Sequence, residues 1–180
     1  MREQEPRSRS WEAPLAVAGG TLALVARAPS PFAVAVTAAV GAVGGLVAVR
    51  SSEALAGVRL RWLLAVALGS IPFLAASTLL MNNPLPRAAG VAIASSVVAA
   101  IAEEVFFRRL VYGWLERWGV ALAIAGSAAL FADIHVPVYG LGVLPLDFAA
   151  GLIFGWQRRA TGGWTAPAAT HVFANLLALL

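Results

Sequence analysis

The chain has 180 residues, 60% of them hydrophobic, only 12% charged and none of them cysteine. A soluble domain carries about a quarter charged residues, so the composition excludes an ordinary soluble protein and predicts one polytopic membrane domain. The missing cysteines exclude a disulfide framework and any thiolate metal site. All 13 basic residues behind the net charge of +4 are arginine, and they are scattered at segment ends, which is not the basic stripe of a nucleic-acid surface. Arginine without lysine, together with abundant Ala, Val and Gly, suggests a GC-rich bacterial genome and a place in the bacterial plasma membrane.

Residues 1–12, rich in charge, are expected to form a disordered cytoplasmic tail. The apolar run that follows is read as a retained first span, because no clear small-residue cleavage site follows it. Apolar segments then recur at 13–27, 31–49, 62–81, 88–107, 119–136, 140–157 and 164–180. A spanning helix needs about 20 residues, with about 17 as a minimum. The predicted fold is therefore an all-α transmembrane bundle of about seven spans, with six or eight as neighbouring counts. Pro29-Ser30-Pro31, Asn82-Asn83-Pro84, Val136-Pro137 and Thr161-Gly162-Gly163 mark breaks. Residues 13–87 are assigned to N-terminal transmembrane helices and 88–180 to a helical core that carries the chemistry. Gly41, Gly44 and Gly45 are read as packing residues that let helices approach closely.

Arginine placement orients the bundle. Arg2, Arg7, Arg9, Arg50, Arg59, Arg61, Arg108, Arg109, Arg117, Arg158 and Arg159 fall on one side of this parsing, and only Arg27 and Arg87 on the other. By the positive-inside rule the N-terminus is cytoplasmic and the C-terminus faces out.

Polar groups within spans are costly and mark functional sites. Here they are Glu103, Glu104, Asp133, His135, Asp147, His171 and Asn175. Glu104 and Arg108 are four apart, acid before base, and form an orienting ion pair on one helix face. Glu103 points about 100° away, has no local partner, and is the candidate for function. Glu103 and His135 lie sixteen residues either side of Gly119. In an antiparallel hairpin both reach about 24 Å from the turn, where they can touch. His171 and Asn175 share one face of the last helix. A carboxylate and an imidazole suit activation of water, and two convergent donors suit a developing oxyanion. Taken singly, each has a bland reading as a packed, hydrogen-bonded residue.

EEVFFR at 103–108, FADIH at 131–135 and HVFAN at 171–175 resemble the EExxxR, FxxxH and HxxxN motifs of the CPBP (CAAX protease and bacteriocin-processing, Abi) family, and the resemblance extends over about 88–180. It implies an all-helical intramembrane endopeptidase that hydrolyses a peptide bond of a membrane-associated substrate. Carried over by position, Glu103 and His135 activate water, His171 and Asn175 form the oxyanion site, and Glu104 and Arg108 support the geometry. The family is commonly called a metalloprotease family. A zinc ion here would have to draw its ligands from Glu103, His135 and His171, because the chain has no HExxH helix. A metal-free glutamate mechanism is the expectation, with zinc as the alternative. Arg109 stands where the family often has glycine. Asp133 could pair with a cation or with His135, and Asp147 is expected to make a structural hydrogen bond.

The expected partners are membrane lipid and a membrane-associated peptide or protein, with no nucleic acid. Proteases of this kind that act on prenylated proteins are expected to open to the cytosol, yet the hairpin arithmetic puts Glu103 and His135 far from the arginine-rich turn. Both leaflets stay open at this point. RRLVYGWLERWG reads as an interfacial extension anchored by Trp114 and Trp118. Two other functions fit the same residues: a non-catalytic scaffold or bacteriocin self-immunity protein, and a proton-coupled transporter. Against the transporter stands the lack of inverted repeats.

Overall fold

A computed structural model describes residues 11–27, 32–48, 58–80 and 90–179 of the chain. The described residues are all-helical, without a strand. α1 is Glu12–Ala26, α2 Ala33–Val47, α3 Val58–Leu80 and α4 Gly90–Glu104. From α4 the chain continues as a π-helix over Val105–Val111, then α5 (Tyr112–Leu115) and a 3-10 turn (Glu116–Trp118). After Gly119 come α6 (Val120–Asp133), α7 (Val136–Tyr139), a 3-10 turn (Leu141–Val143), α8 (Leu144–Thr161) and α9 (Thr165–Leu179). Joined end to end, these make seven helical segments among the described residues, in the order of the seven apolar runs.

Three segments have the length and apolarity to cross a membrane: Arg59–Thr78, Gly90–Trp118 and Val120–Tyr139. α1 and α2 are apolar but shorter. α8 carries Asp147, Arg158 and Arg159, which dilute its hydropathy. The apolar faces of these helices stay largely uncovered, as at Leu60, Leu64, Leu68 and Ile71 of α3, which suits a lipid solvent. The protein is an integral membrane protein.

α4 packs between α2 and α9, α6 packs on α8, and α3 closes over α8 and α9. Two contacts bring backbones together. A Cβ at Gly41 would lie 2.7 Å from the Ala102 carbonyl oxygen, and one at Gly151 would lie 2.8 Å from Ala128 Cα, so only glycine allows α2 onto α4 and α8 onto α6. Gly44 and Gly45 face Phe106 and Val105. The packing role read for these three glycines holds.

Buried polar groups tie the helices together. Gln157 Nε2 donates to the Ala65 carbonyl at 2.8 Å and to Thr170 Oγ1 at 2.7 Å, joining α3, α8 and α9. Arg158 is buried as well, and its Nε donates to the Arg108 carbonyl of the π-helix at 3.0 Å. π-Helical geometry departs from the i to i−4 ladder, and that carbonyl finds its donor on another helix.

The arginine count that oriented the bundle loses three members here. Arg27, Arg108 and Arg158 are buried, so they are not loop charges. Arg2, Arg7, Arg9, Arg50 and Arg87 lie outside the described residues, as do residues 1–10 of the expected tail and the Pro29 and Asn82 breaks. Arg117 lies over the Trp114 and Trp118 rings at 5.1 and 3.9 Å, an aromatic and cationic end that suits a membrane interface.

Candidate active site

Four helices meet around the two glutamates. Glu103 and Glu104 end α4, and their side chains turn to different partners, as a 100° step per residue requires. Glu104 is fully buried. Its Oε2 lies 3.2 Å from Arg108 Nε, and its Oε1 lies 3.0 Å from His171 Nδ1. The Arg108 contact is close enough for an ion pair but lacks the alignment of a hydrogen bond. Arg108 is itself wholly enclosed, with its guanidinium 5.3–5.9 Å from the ring centres of Phe107, Phe131 and Phe154, a cation–π arrangement.

Glu103 is buried too, and its two oxygens face different groups. Oε1 accepts a hydrogen bond from Arg27 NH2 at 2.9 Å. Oε2 lies 3.8 Å from His135 Nε2 and 4.0 Å from His171 Nε2. Both are beyond direct hydrogen-bonding distance and of the order that a bridging water spans.

The far side of each imidazole is fixed. His135 Nδ1 faces Asp147 Oδ2 at 3.0 Å and the Phe131 carbonyl at 3.0 Å. His171 Nδ1 faces Glu104 Oε1. These oxygens are acceptors, so each ring carries its proton on Nδ1 and turns Nε2 to Glu103. Phe131, the first residue of FADIH, wedges between the rings, 4.9 Å from that of His135 and 5.5 Å from that of His171. Phe154 stacks on His171 at 5.0 Å. The local fold explains His135: α6 ends at Asp133, and His135 follows that end as the N-cap of α7.

The structure thus brings together Glu103, Glu104, Arg108, His135 and His171 from the sequence-derived set. Asn175 lies one turn past His171 on α9, half-buried and without a side-chain hydrogen bond among the described residues. Asp133 is exposed and does not pair with His135; Asp147, from the next helix, does. Two residues i and i+2 on a helical turn do not share a face, which separates Asp133 from the ring. Sequence reasoning missed Arg27, whose only signal was an arginine at the end of an apolar run. Asp147→Ala removes the carboxylate from His135 Nδ1 and leaves only the Phe131 carbonyl to orient the ring; if the site is catalytic, turnover of the folded variant at saturating substrate is expected to fall about a hundredfold.

A zinc site was the alternative for this centre. Tetrahedral zinc with bonds of about 2.0–2.1 Å holds its ligand atoms roughly 3.3 Å apart. The carboxylate–imidazole separations of 3.8 and 4.0 Å are wider, and among the described residues no three His, Cys, Asp or Glu side chains gather at metal-binding distance. The Glu103 carboxylate is already paired with the Arg27 guanidinium, whose charge repels a divalent ion beside it. These residues do not fit zinc as they stand. Activity is expected to survive exhaustive chelation; stoichiometric zinc lost together with activity would contradict this.

A family model described as type II CAAX prenyl endopeptidase, Rce1-like, matches residues 85–177. The chain belongs to the Rce1-like family. The match includes the two glutamates, Arg108, both histidines and Asn175, and it begins after α1, α2 and α3. No curated protein and no solved structure matched the chain. The Rce1-like assignment carries a membrane-embedded protease architecture and a membrane-associated substrate.

Proposed function

We propose that the protein is an intramembrane endopeptidase that hydrolyses a peptide bond of a membrane-associated substrate with a water activated by Glu103 and His135. The observation that supports this reading best is the division of the Glu103 carboxylate: Oε1 is held by Arg27, and Oε2 faces two imidazole Nε2 atoms whose Nδ1 atoms meet carboxylates.

A water about 2.8 Å from Glu103 Oε2 and from His135 Nε2 donates a hydrogen bond to each. Glu103 takes one proton as the water oxygen attacks the scissile carbonyl carbon. The carbonyl oxygen becomes an oxyanion, which accepts hydrogen bonds from the Asn175 amide and from His171 Nε2–H when that ring is doubly protonated. Glu104, at His171 Nδ1, compensates the imidazolium. The tetrahedral intermediate collapses with cleavage of the C–N bond, and the proton on Glu103 passes to the leaving nitrogen. Water ends as the hydroxyl of a new carboxylic acid and the hydrogen of a new amine, and Glu103 is regenerated.

Nothing in these residues selects a prenylated cysteine over another membrane anchor, so the substrate is assigned as a membrane-anchored peptide. The reading is tested with the full chain in liposomes and a lipid-anchored peptide, with products followed by mass spectrometry. Wild type is expected to cut at one bond, and His135→Ala to cut at least about a hundredfold more slowly. Full activity in His135→Ala would overturn the assigned base pair.

A further inference from the structure

The family match begins at residue 85, yet the most direct contact of the Glu103 carboxylate comes from residue 27. We propose that Arg27 is a positioning residue of the active site, supplied by the N-terminal helices, which fixes Glu103 so that one oxygen alone faces the histidines. This rests on the endopeptidase reading of Glu103.

The geometry is specific. Arg27 follows the last residue of α1, and its backbone N–H still donates to the Ala23 carbonyl at 3.0 Å. Its side chain is buried, with NH2 on Glu103 Oε1 at 2.9 Å and NH1 on Thr37 Oγ1. Thr37 is buried in α2, and its hydroxyl donates to the Ala33 carbonyl at 2.8 Å. That bond uses the hydroxyl proton and leaves a lone pair aimed at Arg27. The arginine is therefore held at two nitrogens, one from each side of the α2–α4 contact.

That contact is close. Gly41 sits on the Ala102 backbone, one residue before Glu103, and Gly44 sits on Phe106. α2 thus approaches the motif at backbone distance, carrying Thr37 one turn before Gly41. A buried arginine among apolar helices must be matched by an anion. Glu103 is that anion, across a separation of 76 residues. The two imidazoles near Glu103, those of His135 and His171, face Oε2 and not Oε1.

A guanidinium on Oε1 does two things. It compensates a carboxylate that would otherwise stand alone in a low-dielectric site, and, with NH1 anchored on Thr37, its NH2 fixes the position of Oε1. Oε2 is then the oxygen left for a water. A purely structural ion pair would affect folding and leave the turnover of folded protein unchanged. A positioning residue affects turnover and leaves substrate capture alone.

The experiment compares wild type, Arg27→Gln, Arg27→Lys, Thr37→Val and Glu103→Gln, each as the full chain in liposomes, against the lipid-anchored peptide. kcat and KM are measured separately, with the melting transition of each preparation. Arg27→Gln is expected to lower kcat about a hundredfold while KM stays within about threefold. Arg27→Lys restores the charge without the fork and is expected to recover part of that loss. Thr37→Val keeps both charges, removes only the anchor of NH1, and is expected to lower kcat several-fold, so it carries the test if Arg27→Gln does not fold. Wild-type kcat in folded Arg27→Gln or, where that does not fold, in Thr37→Val would overturn the proposal while leaving the endopeptidase reading intact, provided Glu103→Gln is inactive. Wild-type kcat in Glu103→Gln would overturn both.

Discussion

Arg108→Met is expected to destabilise the folded protein by about 3–5 kcal/mol, the cost of leaving one member of a buried pair behind. Arg108 is wholly enclosed, and so is the Glu104 carboxylate it faces at 3.2 Å. Glu104 has no solvent exposure, and His171 Nδ1 on its Oε1 is its remaining partner. Three aromatic rings around the guanidinium lose their cation as well. Methionine fills much of the same volume, so the loss is electrostatic and not a cavity effect. The companion variant decides the cause. Replacing both partners, as in Glu104→Gln with Arg108→Met, removes the unpaired charge and is expected to recover most of the stability, because a buried ion pair contributes little over a neutral pair of similar shape. Equilibrium unfolding in detergent measures both. A loss under about 1 kcal/mol in the single variant, or no recovery in the double, would contradict the account of this pair.

Glu103→Gln is expected to lower the rate of peptide cleavage by about 10²–10⁴-fold, the usual worth of a positioned general base. The amide keeps the shape of the side chain and an oxygen for Arg27 NH2, but it cannot take a proton from water. Half of the Glu103 environment is thus preserved while the proposed chemistry is removed. An intact melting transition in the same preparation separates loss of the base from loss of the fold. If the variant cleaves at the wild-type rate, proton transfer does not run through Glu103.

Much of this site is legible in the sequence because it is local or periodic. Glu104 and Arg108 meet because they are four residues apart on one helix. Glu103 and His135 meet because they are equidistant from the turn at Gly119. That arithmetic assumes regular helices, and the π-helix at Val105–Val111 and the 3-10 turn at Glu116–Trp118 depart from it without separating the pair. Nothing in the composition of VFFRRLV marks it as π-helical, and such segments are frequent at functional sites.

The rest depends on which helices pack together, and that is not written in periodicity. Arg27 looks like a loop charge until α2 is seen to dock on α4 through Gly41. Asp133 is two residues from His135, yet Asp147 holds the ring because α8 lies against α6. His171 was assigned with Asn175 to an oxyanion pair; it also bonds Glu104 and faces Glu103, contacts that need α9 beside α4. Seven apolar segments are legible from hydropathy. Their lengths in the fold are less uniform, and only three of the helical segments are both long and apolar enough to span among the described residues.

The central claim is that this membrane protein cleaves a peptide bond with water activated at Glu103. The most direct measurement is cleavage of a lipid-anchored peptide by the full chain in liposomes prepared in 18O-labelled water, read by mass spectrometry. The account predicts one scissile bond, one 18O atom in the new carboxyl group, and product formed at least about a hundredfold more slowly with Glu103→Gln. An intact peptide in the presence of folded wild-type protein, or equal product with Glu103→Gln, would contradict it.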